Sequence, residues 1–243
     1  MTFTRSKKTC IIYEYSLDNN ELARVHCKKD LGILFQENLK FDQHIDIITK
    51  SASRNLGLIL RHSKFFFDYD TIVTLYTALV RSKLEYACVI WAPTSDFLIK
   101  KIEKVQADFS RVLFLKFNGF YPKYPCAISY NILREQMCIE SLLARRNKFK
   151  LIFVHNIINN NLTCPELLEK INIKIPNLSL RNRRQIDRSN SDQEYFKIPR
   201  QIKIIYAQSP LMSALSLYNK YSLELDLDSN LNVFKNKCTI LSE

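Results

Sequence analysis

At 243 residues the chain is long enough for one large domain or two small ones, and with 47% hydrophobic residues it can bury a core, which excludes wholesale disorder. A formal net charge of +12 favours a polyanionic partner, most simply nucleic acid. Its three glycines, Gly32, Gly57 and Gly119, are too few for sandwiches, tight-turned barrels or glycine-rich phosphate loops.

Residues 1–41 read as strand and turn. Cys10–Tyr15 is rich in β-branched and aromatic residues, Asp18-Asn19-Asn20 is a turn, and Leu22–His26 alternates and could pair back. Lys29–Phe35 reads as a third short strand. So few strands are marginal alone, so this looks like the end of a sheet whose other strands are elsewhere.

From Phe41 the period becomes helical. Asp42 reads as an N-cap, and Ile45, Ile48, Ala52, Leu56 and Ile59 share one face. Lys50, Arg54, Arg61 and Lys64 fall on the opposite face within an arc of about 80°, with Gly57 among them. This reads either as a stripe that tracks a phosphate backbone, with Gly57 allowing close approach, or as an ordinary solvated face. Asp68 or Asp70 caps the next helix. The spacing of Ile72, Leu75, Tyr76, Leu79, Val80, Leu84, Ala87 and Trp91 predicts one long helix from Thr71 until Pro93 stops it. Thr94 or Ser95 opens a third, with Leu98, Ile102, Val105, Phe109 and Val112 inward and Lys101, Lys104 and Arg111 outward, ending at Asn118-Gly119. Residues 42–125 therefore read as a helical bundle.

Residues 126–243 read as a helical C-terminal region. Met137, Leu142, Phe149, Ile152 and Phe153 supply core, while Arg145, Arg146, Lys148 and Lys150 form a basic cluster. Thr163-Cys164-Pro165-Glu166 resembles a capping box. Residues 176–199, with Arg181, Arg183, Arg184 and Arg188, read as a flexible basic loop, ordered by nucleic acid or serving as a plain linker. Ser209-Pro210 opens a last helix carrying Leu211, Leu215 and Tyr218, and a terminal helical turn holds Phe234. The fold class is mainly α (α+β): a small antiparallel β edge, a helical bundle, then further helices.

Catalytic signatures are missing from the sequence. It contains no GxxxxGK(S/T), GxGxxG or GxSxG. The closest carboxylate pairs, Asp68/Asp70 and Asp226/Asp228, read as caps rather than metal ligands. Seven scattered cysteines without a CxxC, and an N-terminus whose Arg5, Lys7 and Lys8 precede no apolar run, read as buried free thiols of an intracellular protein. No zinc, other cofactor or membrane partner is expected.

Several strings resemble one family. KKDLGILFQENLKFDQHI, LVRSKLEYACVIWAP, IEKVQADFSRVLF, CPELLEKI, RNRR and SALSLYNKYSLELDLD look like the carboxy-terminal portion of the reverse transcriptases of non-LTR, jockey-like retrotransposons. The resemblance covers nearly the whole chain: the end of the palm over 1–41, the thumb over 42–125 and the following region over 126–243. It places Leu31 and Gly32 in a Leu-Gly turn at the primer-grip position. The (Phe/Tyr)-x-Asp-Asp motif of the family, whose aspartates hold magnesium, is not in this sequence and would lie upstream of Met1. The resemblance thus implies a non-catalytic fragment of an RNA-directed DNA polymerase, with Met1 an internal methionine of a truncated copy. Its partners would be RNA or an RNA–DNA hybrid and the missing palm. Lys50, Arg54, Arg61 and Lys64 would grip the backbone on one face, and Arg145, Arg146, Lys148, Arg181, Arg183 and Arg184 on another. Two alternatives stand beside it: a degenerate retroelement product with no activity, and an accessory part of a polymerase acting with a separate palm. RNRR is a weak nuclear signal, so nucleus and cytoplasm both stay open.

Overall fold

Helical periodicity governs the chain after residue 41, and the fold is mainly α with a small antiparallel β portion at the N-terminus. The computed structural model describes residues 1, 3–4, 13–63, 68–121, 128–174, 194–199 and 204–241. Two units result: Met1–Ala87 with Pro93–Phe120, and Cys88–Ala92 with Tyr121–Glu243.

The β portion of the first unit is two hairpins. Strands β1 (Ser16–Leu17) and β2 (Asn20–Glu21) pair antiparallel around Asp18-Asn19, both with positive φ. That conformation suits a two-residue hairpin turn and explains why Leu22–His26 is not the returning strand. Cys10–Ile12 lie outside the described residues. Lys29–Phe35 is not one strand either. Strands β3 (Cys27–Asp30) and β4 (Ile33–Gln36) pair in the register Asp30↔Ile33. Leu31 and Gly32 form the turn between them, at φ 44 and 86. Strand β4 buries Ile33 and packs on the helix that follows, whereas β3 is exposed throughout.

Helix α1 (Asp42–His62) buries Ile45, Ala52, Leu56 and Ile59, the face its periodicity predicts, with Ile48 half-buried. Its N-cap is Phe41 rather than Asp42; Asp42 sits in the first turn, where its charge complements the helix dipole. The long helix expected from Thr71 to Pro93 is instead broken. Helix α2 (Tyr69–Tyr76) runs into a π-helical segment (Thr77–Arg81), then α3 (Ser82–Glu85). The wider π turn shifts the register and leaves Leu79 46% exposed. Asn55 from α1 donates to the Leu79 carbonyl at 2.8 Å, and Lys83 donates to Ser51 at 3.1 Å. At Ala87 the backbone turns left-handed, with φ 49, and the helix ends. Asp68 caps α2 by accepting from the Thr71 amide at 2.8 Å. A bond from the Thr71 hydroxyl, and then this amide bond, hold its carboxyl below the usual range.

Helix α5 (Asp96–Asn118) closes the unit and buries Leu98, Ile102, Val105 and Phe109 as expected, but Leu113 rather than Val112, which is half-buried. Gly119, at φ 75, caps it by donating to the Leu115 carbonyl. The Tyr76 ring stacks on Phe109 with centroids 3.9 Å apart. The buried Tyr76 hydroxyl donates to Gln106 at 3.0 Å, so its burial leaves it hydrogen-bonded.

In the second unit, helix α4 (Cys88–Trp91) packs on α7 (Leu142–Ile158), as do α10 (Pro210–Lys220) and α11 (Leu231–Ile240). Its core joins Leu151, Val154 and Ile157 to Leu215, Tyr218, Leu227 and Phe234. Helix α6 (Tyr130–Gln136) precedes α7, and Cys138 between them has φ 51. Ser141 and Ser209 cap α7 and α10. The expected capping box does not form: Cys164 is the N-cap of the four-residue α8 (Pro165–Leu168), without a side-chain bond. The C-terminal turn is a ten-residue helix, α11, capped by Asn230. A further short helix, α9, spans Ile204–Ala207.

Arg181, Arg183, Arg184 and Arg188 lie outside the described residues. The end of their expected loop, Glu194–Pro199, is anchored rather than free. Phe196 is wholly buried, bridges to Ile173, and is clamped by Asn219, which accepts from its amide at 2.9 Å and donates to its carbonyl at 2.8 Å. Among the described cysteines, Cys88 and Cys238 are buried, but Cys27 and Cys138 are exposed, so buried thiols describe only part of the set. Burial pushes the Cys238 thiol up to about 11.

Candidate nucleic-acid interface

A groove of about 750 Å³ runs between α1 and α5. Thr49, Lys50, Ser53 and Arg54 line it from α1, and Lys101, Lys104, Val105 and Asp108 from α5. The α5 residues recur at i, i+3, i+4 and i+7, one stripe of the helix. Four cations from two helices thus surround one concave surface. Ala52 and Leu56 of α1 and Ile102 and Phe109 of α5 are buried, as are Thr49 and Val105 of the groove itself, whereas Lys50, Arg54 and Lys104 are exposed.

Lys50 and Arg54 are exposed, and Arg61, two turns further along α1, is exposed as well. From Lys50 to Arg61 is about 16 Å of helix. Lys64 lies outside the described residues. Gly57 sits on this face in open space: a Cβ built there meets nothing within 4 Å. Lys101 is tied to Asp46 of α1 at 2.5 Å, which holds the two walls together. Asp108 accepts from Arg111 at 2.9 Å. At the far end, Lys116 donates to the Ser63 carbonyl. Ile47 and Leu58, both exposed, flank the cationic stripe on α1.

Of the second expected cluster, Arg181, Arg183 and Arg184 lie outside the described residues, and the described members Arg145, Arg146 and Lys148 are turned to partners of their own. Arg145 pairs with Glu140 at 3.0 Å and lies over the Phe149 ring. Arg146 is 1% exposed, inside the second unit. Lys148 donates to the Thr239 hydroxyl. Burial and then the neighbouring Arg146 charge lower the Lys150 pKa. A helix whose sequence is dense in Arg and Lys can spend them on its own neighbours, and here α7 does so because helices pack on it from several sides. The reverse holds for Lys101 and Lys104. Sequence reasoning set them on the outer side of α5 but did not join them to the α1 stripe. Their shared spacing with Asp108 was the available signal.

Leu31 and Gly32 form the β3–β4 turn, and Leu31 is 83% exposed. Two contacts seat this hairpin on α1. The Leu34 amide donates to His44 Nδ1 at 3.3 Å, and the Gln43 amide donates to Gln36 at 3.2 Å. Burial, then the Lys29 charge, pulls the His44 pKa down, in keeping with a neutral ring that accepts a hydrogen bond. Among the described residues no group of three or more His, Cys, Asp or Glu side chains is placed to hold a metal ion, and no helix is long and apolar enough to cross a membrane.

No protein-family model and no solved structure matches the chain. It is similar to an uncharacterized protein of Caenorhabditis elegans, 30% identical over 89 residues, which are 37% of this chain and 44% of that protein. The chain thus spans less than half the length of the curated relative it matches.

Proposed function

We propose that the α1–α5 groove holds the sugar–phosphate backbone of RNA or of an RNA–DNA hybrid, in a chain that is the carboxy-terminal part of a non-LTR retrotransposon reverse transcriptase. The observation that carries the binding reading is the convergence of Lys50, Arg54, Lys101 and Lys104 on one groove. The net charge of +12 supports it. The assignment to the family rests on the motif strings quoted above, with α1 to α5 in the place of the thumb. In this reading the chain grips template and primer and does not itself polymerise, because the aspartate pair that would hold magnesium is not in its sequence.

Fluorescence anisotropy with a short labelled RNA–DNA hybrid tests the groove. Lys101 is already paired with Asp46, so three contacted phosphates, at Lys50, Arg54 and Lys104, give a slope of log affinity on log salt of about −2.7. Reversing Lys50, Arg54 and Lys104 to Glu flattens that slope and weakens binding steeply. An affinity indifferent to ionic strength, or unmoved by the reversal, sinks the proposal.

One observation favours the accessory variant of this reading. Tyr13, Tyr15, Leu17 and Leu22 are each more than half exposed along the β1–β2 hairpin and its flanks, an apolar strip that a separate palm would cover. Primer extension by the chain alone, compared with the chain plus such a palm, separates the two: extension by the chain alone refutes the non-catalytic reading.

A further inference from the structure

We infer that Asp108 makes the α1–α5 groove selective for ribose over deoxyribose; the inference rests on the backbone-binding reading and names the strand that the groove takes. A groove built only to hold phosphates has no use for a carboxylate in its wall, since the like charge opposes the ligand. Asp108 nevertheless lines it beside Lys101 and Lys104. Asp46, the neighbouring acid of α1, does not line the groove, and its charge is spent on Lys101. Asp108 is paired and half exposed in the same way, Arg111 taking one carboxylate oxygen at 2.9 Å, but it stands in the groove wall, where Asp46 does not. A carboxylate has capacity for several further donors.

Sugars alternate with phosphates along a nucleic-acid backbone. Lys104 and Asp108 are one helical turn apart, about 6 Å. A phosphate held at Lys104 therefore brings an adjoining sugar towards Asp108. A ribose offers its 2′-hydroxyl as a donor there, and the carboxylate accepts it. A deoxyribose offers only C–H, so the repulsion between Asp108 and the phosphates goes uncompensated. Among the described residues the groove lining contains no aromatic side chain on which bases could stack, which favours discrimination by the sugar rather than by the base.

The test compares an RNA duplex with the same duplex carrying 2′-O-methyl groups, which keeps the helix form and removes the donor. Anisotropy titrations use the full chain, as wild type, Asp108→Ala and Asp108→Asn. Methylation is expected to weaken wild-type binding about fivefold, the value of one exposed hydrogen bond. It should leave Asp108→Ala unmoved, and Asp108→Asn, which keeps an acceptor oxygen, should retain part of the effect. A wild type indifferent to methylation overturns the inference while the backbone reading stands. So does an equal penalty in Asp108→Ala, which would place the discrimination elsewhere. A chain that binds neither duplex sinks the backbone reading itself. A purely structural Asp108 would change the melting temperature and not the methylation ratio.

Discussion

The Tyr86 hydroxyl donates a 3.0 Å hydrogen bond to the carbonyl oxygen of Leu31, 55 residues earlier in the chain. The same ring stands 3.4 Å from where a Cβ on Gly32 would be. The end of α3 therefore fixes the tip of a hairpin whose two turn residues both hold a left-handed backbone. One of them, Leu31, is a poor choice for that conformation.

Substitutions in this turn should act in opposite directions. Gly32→Ala strains a φ of 86, its methyl only touching Tyr86, and should cost about 1–2 kcal/mol in a urea melt. Leu31→Asn creates the Asn-Gly pair that such turns favour, and should add roughly 0.5–1 kcal/mol. If Leu31 also touches a primer, the more stable variant will bind the hybrid more weakly, which anisotropy would register.

Gly57 offers a cleaner separation of folding from binding. Gly57→Ala meets open space in a helix interior, so it should stabilise the chain by about 0.5–1 kcal/mol. Any affinity lost for a hybrid must then come from the ligand's own approach to the helix. Stability and affinity rising together would show that no backbone comes close to this face.

The β3–β4 hairpin should loosen in mild acid. His44 has its pKa lowered in the folded chain by burial and by Lys29, so the folded state holds its proton less tightly than the unfolded one. Its contribution is fully present above the unfolded value of about 6.5 and is lost as pH falls through the lower folded value. Protonation at Nδ1 also removes the acceptor for the Leu34 amide. Amide exchange at Leu34 should speed up below pH 6.5, and His44→Asn, which keeps an acceptor but does not titrate, should flatten that dependence. Exchange at Leu34 that ignores pH after correction for intrinsic rates counts against this latch.

Asn219 should matter more than its surface position suggests. Its amide holds both backbone groups of Phe196. Asn219→Ala should cost about 1–3 kcal/mol of stability in the second unit, because a buried segment loses both partners. Asn219→Asp, which keeps only the acceptor, should fall between the two. A melt unchanged in both variants would show that water replaces the amide.

The helices were legible where burial and period agree. The buried faces of α1, α5 and α10 follow from their apolar spacing, and the caps at Asp68, Ser209 and Gly119 follow from residue type. Between Thr71 and Pro93 the same rule misled. Apolar spacing reports which side of a helix is buried but not whether the helix continues, and nothing in Tyr86-Ala87 marks a left-handed break. The Leu31-Gly32 turn did not follow from the residues themselves, which alternate like a strand and begin the turn with a residue that is not a turn former; only the family resemblance put a Leu-Gly turn there. Of the candidate interface, the α1 stripe was readable because it lies on one helix. The α5 half was not joined to it, since which outer faces adjoin is a tertiary fact. Arg146 illustrates the converse: a cationic residue type says surface, and the packing around α7 overrules it.

Helix α4 belongs to the second unit while the chain on either side of it, to Ala87 and from Pro93, belongs to the first. The boundary is therefore crossed at Ala87/Cys88, Ala92/Pro93 and Phe120/Tyr121. A single cut cannot separate such a molecule into two whole parts. A gene bisected after Phe120 would yield one half carrying Trp91 as an orphan and another with a gap where that indole belongs. Co-expressed, the halves would be expected to complement one another, and expressed apart, both to precipitate.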